Sequence, residues 1–540
     1  MKPLPMNAND PKELSQVEPK IILFLCVWGP HAAFQTLQDL RRPIAPGIKM
    51  VRIPCSGRIS KALLFKPFEM GADGVAMVGC EKGTCRYGVG ADTAENNVAT
   101  VRRILDLLGL SAERLRFATF MPEDADGLQK FLSGFSEDLK TLGRSPVETS
   151  ARPEPAPDLP AAIRRIVAAH DVFACQDCGK CTSACSLTLS GKPFSPRAIA
   201  SALIRGEVTD PAFTEGVWSC LTCGLCRDRC PSAVNFPEFI RDVRWALGSS
   251  GKRESHGGFF HSLSRTMTSP GLKGRHWDWL PGDIKTDPAG KTLFFGGCAP
   301  YFDLFFKSHM KVRTTDILAD SLRLLNFFDI HPQVLDDERC CGHDLLWSGD
   351  RENFLKLARL NVDAIHARGV EEVICSCPEG YRTLAVDYPA MGVETRFKVH
   401  HLYEVLEREI DRGAVTFKEF PHKITYQDPC RLSRLTEGED SARKLLSRIR
   451  PKAFTEMADR ARSAICCGNC AWMGCDSFSK ALQVKRLRQA RETGGEVLVT
   501  ACPKCQIHLT CAMGDNFLKP DIEMEVMDLA TLLSQTIQWE

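Results

Sequence analysis

The chain is 540 residues long, more than one ordinary hydrophobic core accommodates, so three or four domains are expected. A formal net charge of +2, with both signs interspersed, offers no basic face and excludes nucleic acid as a partner on electrostatic grounds. Twenty-five cysteines, an odd number, argue against a fully paired disulfide framework and, in a reducing compartment, read as metal ligands or redox thiols.

The opening stretch, MKPLPMNANDPKELSQVEPK, is polar and has no apolar core of a secretory signal. The longest apolar runs, such as IILFLCVW and LFFGGC, fall far short of the roughly 18 residues of a spanning helix. No membrane span is expected, and the protein is read as soluble and cytoplasmic. In residues 1–145, IILFLC ends at Cys26, VRIPC at Cys55 and VAMVGC at Cys80, each a short β-type run, with helical stretches KALLFKPFEMG and VATVRRILDLLG between or after them. Alternation of this kind predicts an α/β domain with a parallel sheet, whose ligands gather at the carboxyl ends of strands. Cys26, Cys55, Cys80 and Cys85 would then converge on one small iron-sulfur cluster, the alternative being separately buried apolar cysteines.

Residues 146–162 are a proline-rich linker, with five prolines in PVETSARPEPAPDLP. Within 163–250, CQDCGKCTSAC and CLTCGLCRDRCP each place three cysteines at intervals of three and a fourth four residues on, the spacing of two-cluster bacterial ferredoxins. One 4Fe-4S cluster is assigned to Cys175, Cys178, Cys181 and Cys230, and its neighbour to Cys220, Cys223, Cys226 and Cys185. Zinc needs only two CxxC pairs per site and does not account for two complete runs. Residues 251–290, rich in glycine, proline and basic residues, read as a second, looser junction.

The remainder is a duplication, 291–412 and 413–540. A strand ending at Cys298, a helix, the pair Cys340–Cys341, a second helix and the strand before Cys377 recur as Cys430, Cys466–Cys467 and Cys502, at offsets of 132, 126 and 125 residues. Adjacent Cα atoms lie about 3.8 Å apart, too close for an unstrained disulfide, so the pairs are read as two thiolates on one cluster edge, with the following glycine letting the backbone crowd in. The second unit offers five thiolates, Cys430, Cys466, Cys467, Cys502 and Cys505, one more than a cubane needs, and is read as an open site able to do chemistry. The first offers Cys298, Cys340, Cys341 and Cys377, enough for an ordinary cluster or a zinc, with Cys375 to spare and Gly380 where the second unit has Cys505. His343 is read as a proton donor or as an exposed or hydrogen-bonded histidine, Cys470, Cys475 and Cys511 as packing residues, and MEVMDLATLLSQTIQ as an amphipathic core helix.

The phrases CSGR at 55–58, GADGV at 71–75, CCGHDLLWSGD at 340–350, CPEGYRTL at 377–384 and DPCRLSR at 428–434 resemble known proteins. The duplicated region resembles the B subunit of heterodisulfide reductase, the dicluster stretch its C subunit, and the first region the delta subunit of methyl-viologen-reducing hydrogenase. The resemblance implies a 2Fe-2S cluster in the N-terminal domain, two 4Fe-4S clusters in an α-helical ferredoxin-like domain, and one or two noncubane 4Fe-4S clusters in duplicated α/β CCG domains where a disulfide is reduced. It implies as partners a flavoprotein similar to the flavin-carrying A subunit of heterodisulfide reductase, and a hydrogenase, formate dehydrogenase or other dehydrogenase. No GxGxxG follows a strand, so flavin binding is not encoded here. Two positions depart from the family. Cys26 is followed by Val27, Trp28 and Gly29 where a CxxC is usual, and the closing CxxC of the first unit is lost at Gly380. The alternative function is a non-catalytic electron-transfer scaffold of a flavin-based bifurcating complex.

Overall fold

The computed structural model describes residues 18–208, 211–413, 415–436 and 440–539; most of the polar N-terminal stretch lies outside them. The chain divides into two units, one taking in the residues up to Ser150 together with His256–Arg275, the other Ala151–Ser255 together with His276 onward.

The first unit is built on a four-stranded parallel sheet of β1 (Ile21–Cys26), β2 (Ile48–Ile53), β3 (Gly74–Cys80) and β4 (Leu115–Phe120), in the order β2-β1-β3-β4. β3 is buried throughout, as a central parallel strand covered on both faces should be, whereas the edge strand β2 is mostly exposed. Helices Pro30–Asp39 and Ala125–Leu142 pack on each other and put Phe34, Leu37, Leu132 and Phe135 into the core with Leu23, Leu25 and Val78. Strand order reverses between β1 and β3, and the crevice at such a switch point is where open α/β sheets take ligands.

The segment 251–290, expected as a loose junction, carries a helix, Phe259–Thr266, every residue of which is buried. Phe259 lies 5.2 Å from Phe65 between ring centroids, and the Arg265 Nε donates to Glu69 Oε1 at 2.7 Å. Glycine and basic content hid a helix whose arginine serves a buried ion pair.

The second unit begins with an all-helical segment. Its helices include Leu159–Ala169, Pro196–Ile204 and Phe236–Leu247, the first packing on both others. Two parallel sheets follow. β5 (Thr292–Phe295), β6 (Glu372–Cys375) and β7 (Lys398–His401) run in the order β5-β6-β7. β8 (Glu419–Gln427), β9 (Arg450–Phe454), β10 (Val497–Thr500) and β11 (Glu525–Asp528) run β11-β10-β8-β9. The duplication is visible in the packing. Helix Thr314–Phe327 of the first repeat lies on Leu529–Thr536 of the second, and Leu402–Arg412 lies on Ser441–Arg448, a reciprocal arrangement closing one core that holds Phe294, Leu402, Ile424 and Leu533.

The C-terminal run read as a single helix is two elements. Glu525–Asp528 pairs with β10, and Asp528 then caps the helix Leu529–Thr536 by accepting from Ala530 N at 2.9 Å. The cap ends the strand because its side chain takes a helix N–H in extended backbone.

Candidate iron-sulfur sites

In the first unit Cys26 and Cys80 close β1 and β3, flanking the switch point, with their sulfurs 3.4 Å apart. Cys55, just beyond β2, lies beside Cys85, and all four thiols lie within electrostatic reach of one another. Burial and the neighbouring Cys26 push the Cys80 thiol up to about 12, the signature of thiols crowded together without a cation. Gly90 opens the helix Gly90–Leu107 against this group; a Cβ there would stand 2.7 Å from Cys85 Sγ and 2.8 Å from Cys55 Sγ. Four converging thiols, with a glycine where any side chain would fill the space between two of them, fit a small iron-sulfur cluster.

The two ferredoxin-type runs adopt the same backbone. Asp177 and Gly179 in the first, Thr222 and Gly224 in the second, all have positive φ, at 51°, 75°, 43° and 83°. Each glycine is followed by a short helix, Lys180–Ala184 or Leu225–Arg229, and these two helices pack together. Cys185 lies within electrostatic reach of Cys220, Cys223 and Cys226, and Cys181 also reaches Cys226. Cys181 is grouped with Cys175, and Cys230 stands at the end of the helix packed on Lys180–Ala184. Cys178 is exposed.

In the first repeat Cys298 and Cys340 have sulfurs 2.9 Å apart, and Cys341 bonds Cys340 and faces Cys377. These four line one cavity together with Cys375 and Gly380. In the second repeat the five thiols form a chain: Cys430 to Cys466, Cys466 to Cys467, Cys467 to Cys505 and Cys505 to Cys502. His508 Nδ1 lies 3.5 Å from Cys467 Sγ. The second ferredoxin-type run packs on the second repeat, Arg434 donating to Cys223 O and Arg431 Nη1 to Thr222 O at 2.6 Å, which brings the Cys223 and Cys466 thiols near each other. The neighbouring Cys466 thiol, with the guanidiniums of Arg434 and Arg431, brings the Cys223 thiol down to about 5. Donor chemistry and convergence both fit iron-sulfur clusters in this unit.

The glycine after each pair has a different reason from the one expected. Gly468 has φ 92° and a Cβ there would stand 2.6 Å from Ser479 O; Gly342 has φ 85° and its Cβ would stand 2.8 Å from the Phe354 ring. Left-handed backbone and close approach to the following helix demand glycine, rather than crowding onto a cluster.

Sequence reasoning missed three cations. Arg431 is fully buried, lies 4.1 Å over the Trp347 ring, and donates to His343 Nε2 at 3.1 Å, Thr222 O at 2.6 Å and Cys470 Sγ at 3.1 Å. Arg434 donates to Cys223 O at 2.8 Å and Ala464 O at 2.8 Å. Lys504, between Cys502 and Cys505, pairs with Asp344 and with Glu379 at 2.6 Å, holding its ammonium charged although burial alone would lower it. A basic residue inside an otherwise apolar cysteine motif was the available signal. His343 is buried, its Nε2 accepting from Arg431 and its Nδ1 3.1 Å from Asp344 Oδ1. Cys470 is buried and bonded, but Cys475 and Cys511 are exposed rather than packed, one in the turn before the N-cap Asp476 and one within the helix Pro503–Met513.

Residues 21–143 match the family described as "Methyl-viologen-reducing hydrogenase, delta subunit", 156–234 the "4Fe-4S dicluster domain", and 293–385 and 424–510 the "Cysteine-rich domain" named CCG. Among curated relatives, the D subunit of dihydromethanophenazine:CoB–CoM heterodisulfide reductase from Methanosarcina acetivorans is 29% identical over 65% of this chain and 84% of its own. The B subunit of the CoM/CoB fumarate reductase from Methanothermobacter marburgensis is 27% identical over 66% and 71%. An EtfAB:quinone oxidoreductase from Syntrophomonas wolfei is 24% identical over 68% and 58%. No helix among the described residues is long and apolar enough to cross a membrane.

Proposed function

From a chain that joins a hydrogenase-delta-type domain, a 4Fe-4S dicluster domain and a duplicated CCG domain, and whose relatives include the D subunit of a heterodisulfide reductase, we propose an iron-sulfur oxidoreductase component that reduces a disulfide or a related acceptor at its second CCG repeat. Bound clusters would supply one-electron carriage and, at the five-thiolate site, the two electrons that with two protons convert a disulfide to two thiols. Cys175, Cys178, Cys181 and Cys230 hold one cubane and Cys220, Cys223, Cys226 and Cys185 the other. Cys26, Cys55, Cys80 and Cys85 hold a 2Fe-2S cluster, and Cys298, Cys340, Cys341 and Cys377 a further cluster or a zinc. A flavoprotein and a dehydrogenase supply the electrons in the assembled complex.

The observation that carries this reading is the packing of the second ferredoxin-type run on the second repeat, where Arg434 donates to Cys223 O at 2.8 Å and Arg431 to Thr222 O at 2.6 Å, beside Cys430 and Cys466. It supports a short route from the dicluster segment into the second repeat. The two guanidiniums stabilise thiolate there, and burial of Cys466 and Cys467 excludes water from the site. The rival scaffold reading draws on that same burial, since a closed site relays electrons as readily as it uses them.

The test is stoichiometric. Anaerobic, cluster-loaded protein reduced by a low-potential dye is mixed with an organic disulfide, and free thiol is counted. About two thiols per disulfide consumed, with reoxidation of the protein, is expected; reoxidation by a one-electron dye without any thiol release would leave the scaffold reading.

A further inference from the structure

Three arginines of the second unit converge on one short stretch of main chain. Arg244, Arg431 and Arg434 are 0%, 3% and 2% exposed. Arg244 Nη2 donates to Cys220 O, Arg431 Nη1 to Thr222 O at 2.6 Å and Arg434 Nε to Cys223 O at 2.8 Å. Arg244 comes from the helix Phe236–Leu247 of the dicluster segment. The other two come from the second repeat, on the short helix Cys430–Ser433 and at the residue that ends it.

These bonds satisfy the guanidiniums without neutralising them. Among the described residues no carboxylate pairs with any of the three, and the nearby ones are taken: Asp344 and Glu379 pair with Lys504, Glu238 and Asp387 with Arg382, and Asp228 with Arg462. A buried charge is costly unless an opposite charge meets it, so three around one loop call for a buried anion. A cluster held by four thiolates is such an anion, and reduction makes it more negative.

The first ferredoxin-type run has no counterpart to this arrangement. Arg197 reaches it through Asp177, Nη1 to Oδ2 at 3.0 Å, a pair that is exposed and neutral in sum. Lys180, beside Cys181, is exposed as well. Charge there is screened by water and salt, whereas charge buried at residues 220–223 is not.

We propose that Arg244, Arg431 and Arg434 are the counterions of the second-run cluster and hold its reduction potential above that of the first-run cluster. Net charge, hydrogen bonding and solvent exposure set such potentials. Burial alone disfavours the more negative, reduced state, and three unscreened cations at the loop reverse that preference. A single electron on the dicluster segment then rests on the side that packs against the second repeat, with no proton moved. The inference rests on the proposed assignment of Cys185, Cys220, Cys223 and Cys226 to a cluster, and not on disulfide reduction.

Redox titration of the anaerobic, cluster-loaded full chain, followed by paramagnetic spectra, tests it, with Cys178→Ser identifying the first-run signal. In the parent the second-run cluster is reduced first. Arg434→Gln lowers the second-run midpoint by about 59 mV, a tenfold change in the equilibrium of a one-electron couple, and leaves the first-run midpoint in place. Arg434→Lys keeps the charge and loses the planar fork, and holds the midpoint near that of the parent. Coincident or inverted midpoints in the parent, a result that needs no variant to fold, overturn the proposal. So does an Arg434→Gln midpoint that stays in place or moves no further than that of Arg434→Lys, since the bond would then be structural. Absence of a second cubane signal from the parent overturns the ligand assignment and the proposal together.

Discussion

Asp528 shows how one residue sets a pH dependence. Its Oδ1 accepts from Tyr403 Oη at 2.8 Å and Ala530 N at 2.9 Å, tying the two repeats together, while burial pushes the carboxyl up from 3.8 to about 7. Between those values the native state holds a proton that the unfolded chain has lost, so this group's contribution falls as pH rises through the window and is gone above about 7. Asp528→Asn is therefore expected to gain stability over the parent as pH rises from about 4 to 8, by up to about 4 kcal/mol, read from denaturant midpoints. A gain independent of pH would mean the carboxyl ionises normally. At this scale the sequence displayed the cysteines and not their neighbours. Arg431 meets His343 across 88 residues and Lys504 meets Asp344 across 160, and no spacing rule reaches that far.

The elements were more legible where a buried parallel strand ends in cysteine, because an apolar run of four to seven residues followed by a thiol leaves little choice of reading. β4, β7, β9 and the short β11 were missed; β4 ends in no cysteine, the others run only four or five residues, and β11 merges by helical periodicity with the helix it precedes. Two substitutions probe element ends. Gly90→Ala places a methyl between Cys55 and Cys85 at the start of its helix, and is expected to lose the N-terminal cluster, about two iron atoms per chain, with the dicluster signal unchanged. Full iron content in that variant would move the cluster away from those two sulfurs. At Gly380 an added Cβ meets nothing closer than Cys377 Cβ at 3.8 Å, and the residue lines the cavity of the first repeat's thiols. Gly380→Cys should shift the paramagnetic spectrum of an iron-loaded first repeat toward that of the second, and an unchanged spectrum would show that position 380 does not face the metal.

At the scale of the whole chain, duplication explains why one repeat can keep the chemistry while the other drifts. Reciprocal helix packing holds the two repeats in one core, and the first repeat meets the second through Tyr403 on Asp528, His343 on Arg431 and Glu379 on Lys504. The dicluster segment touches the second repeat where Arg434 meets Cys223 and Arg431 meets Thr222, and its cysteines lie in a separate stretch of chain, so chemistry and wiring can be tested separately. The most direct measurement is therefore Cys467→Ser in the anaerobic, cluster-loaded protein, following dye reduction and thiol release together. A hydroxyl is a poor iron ligand, so disulfide reduction should be lost while the dicluster, held by its own eight cysteines, is still reduced by the dye. Full disulfide turnover in a Cys467→Ser protein shown to lack the second-repeat cluster would contradict the account.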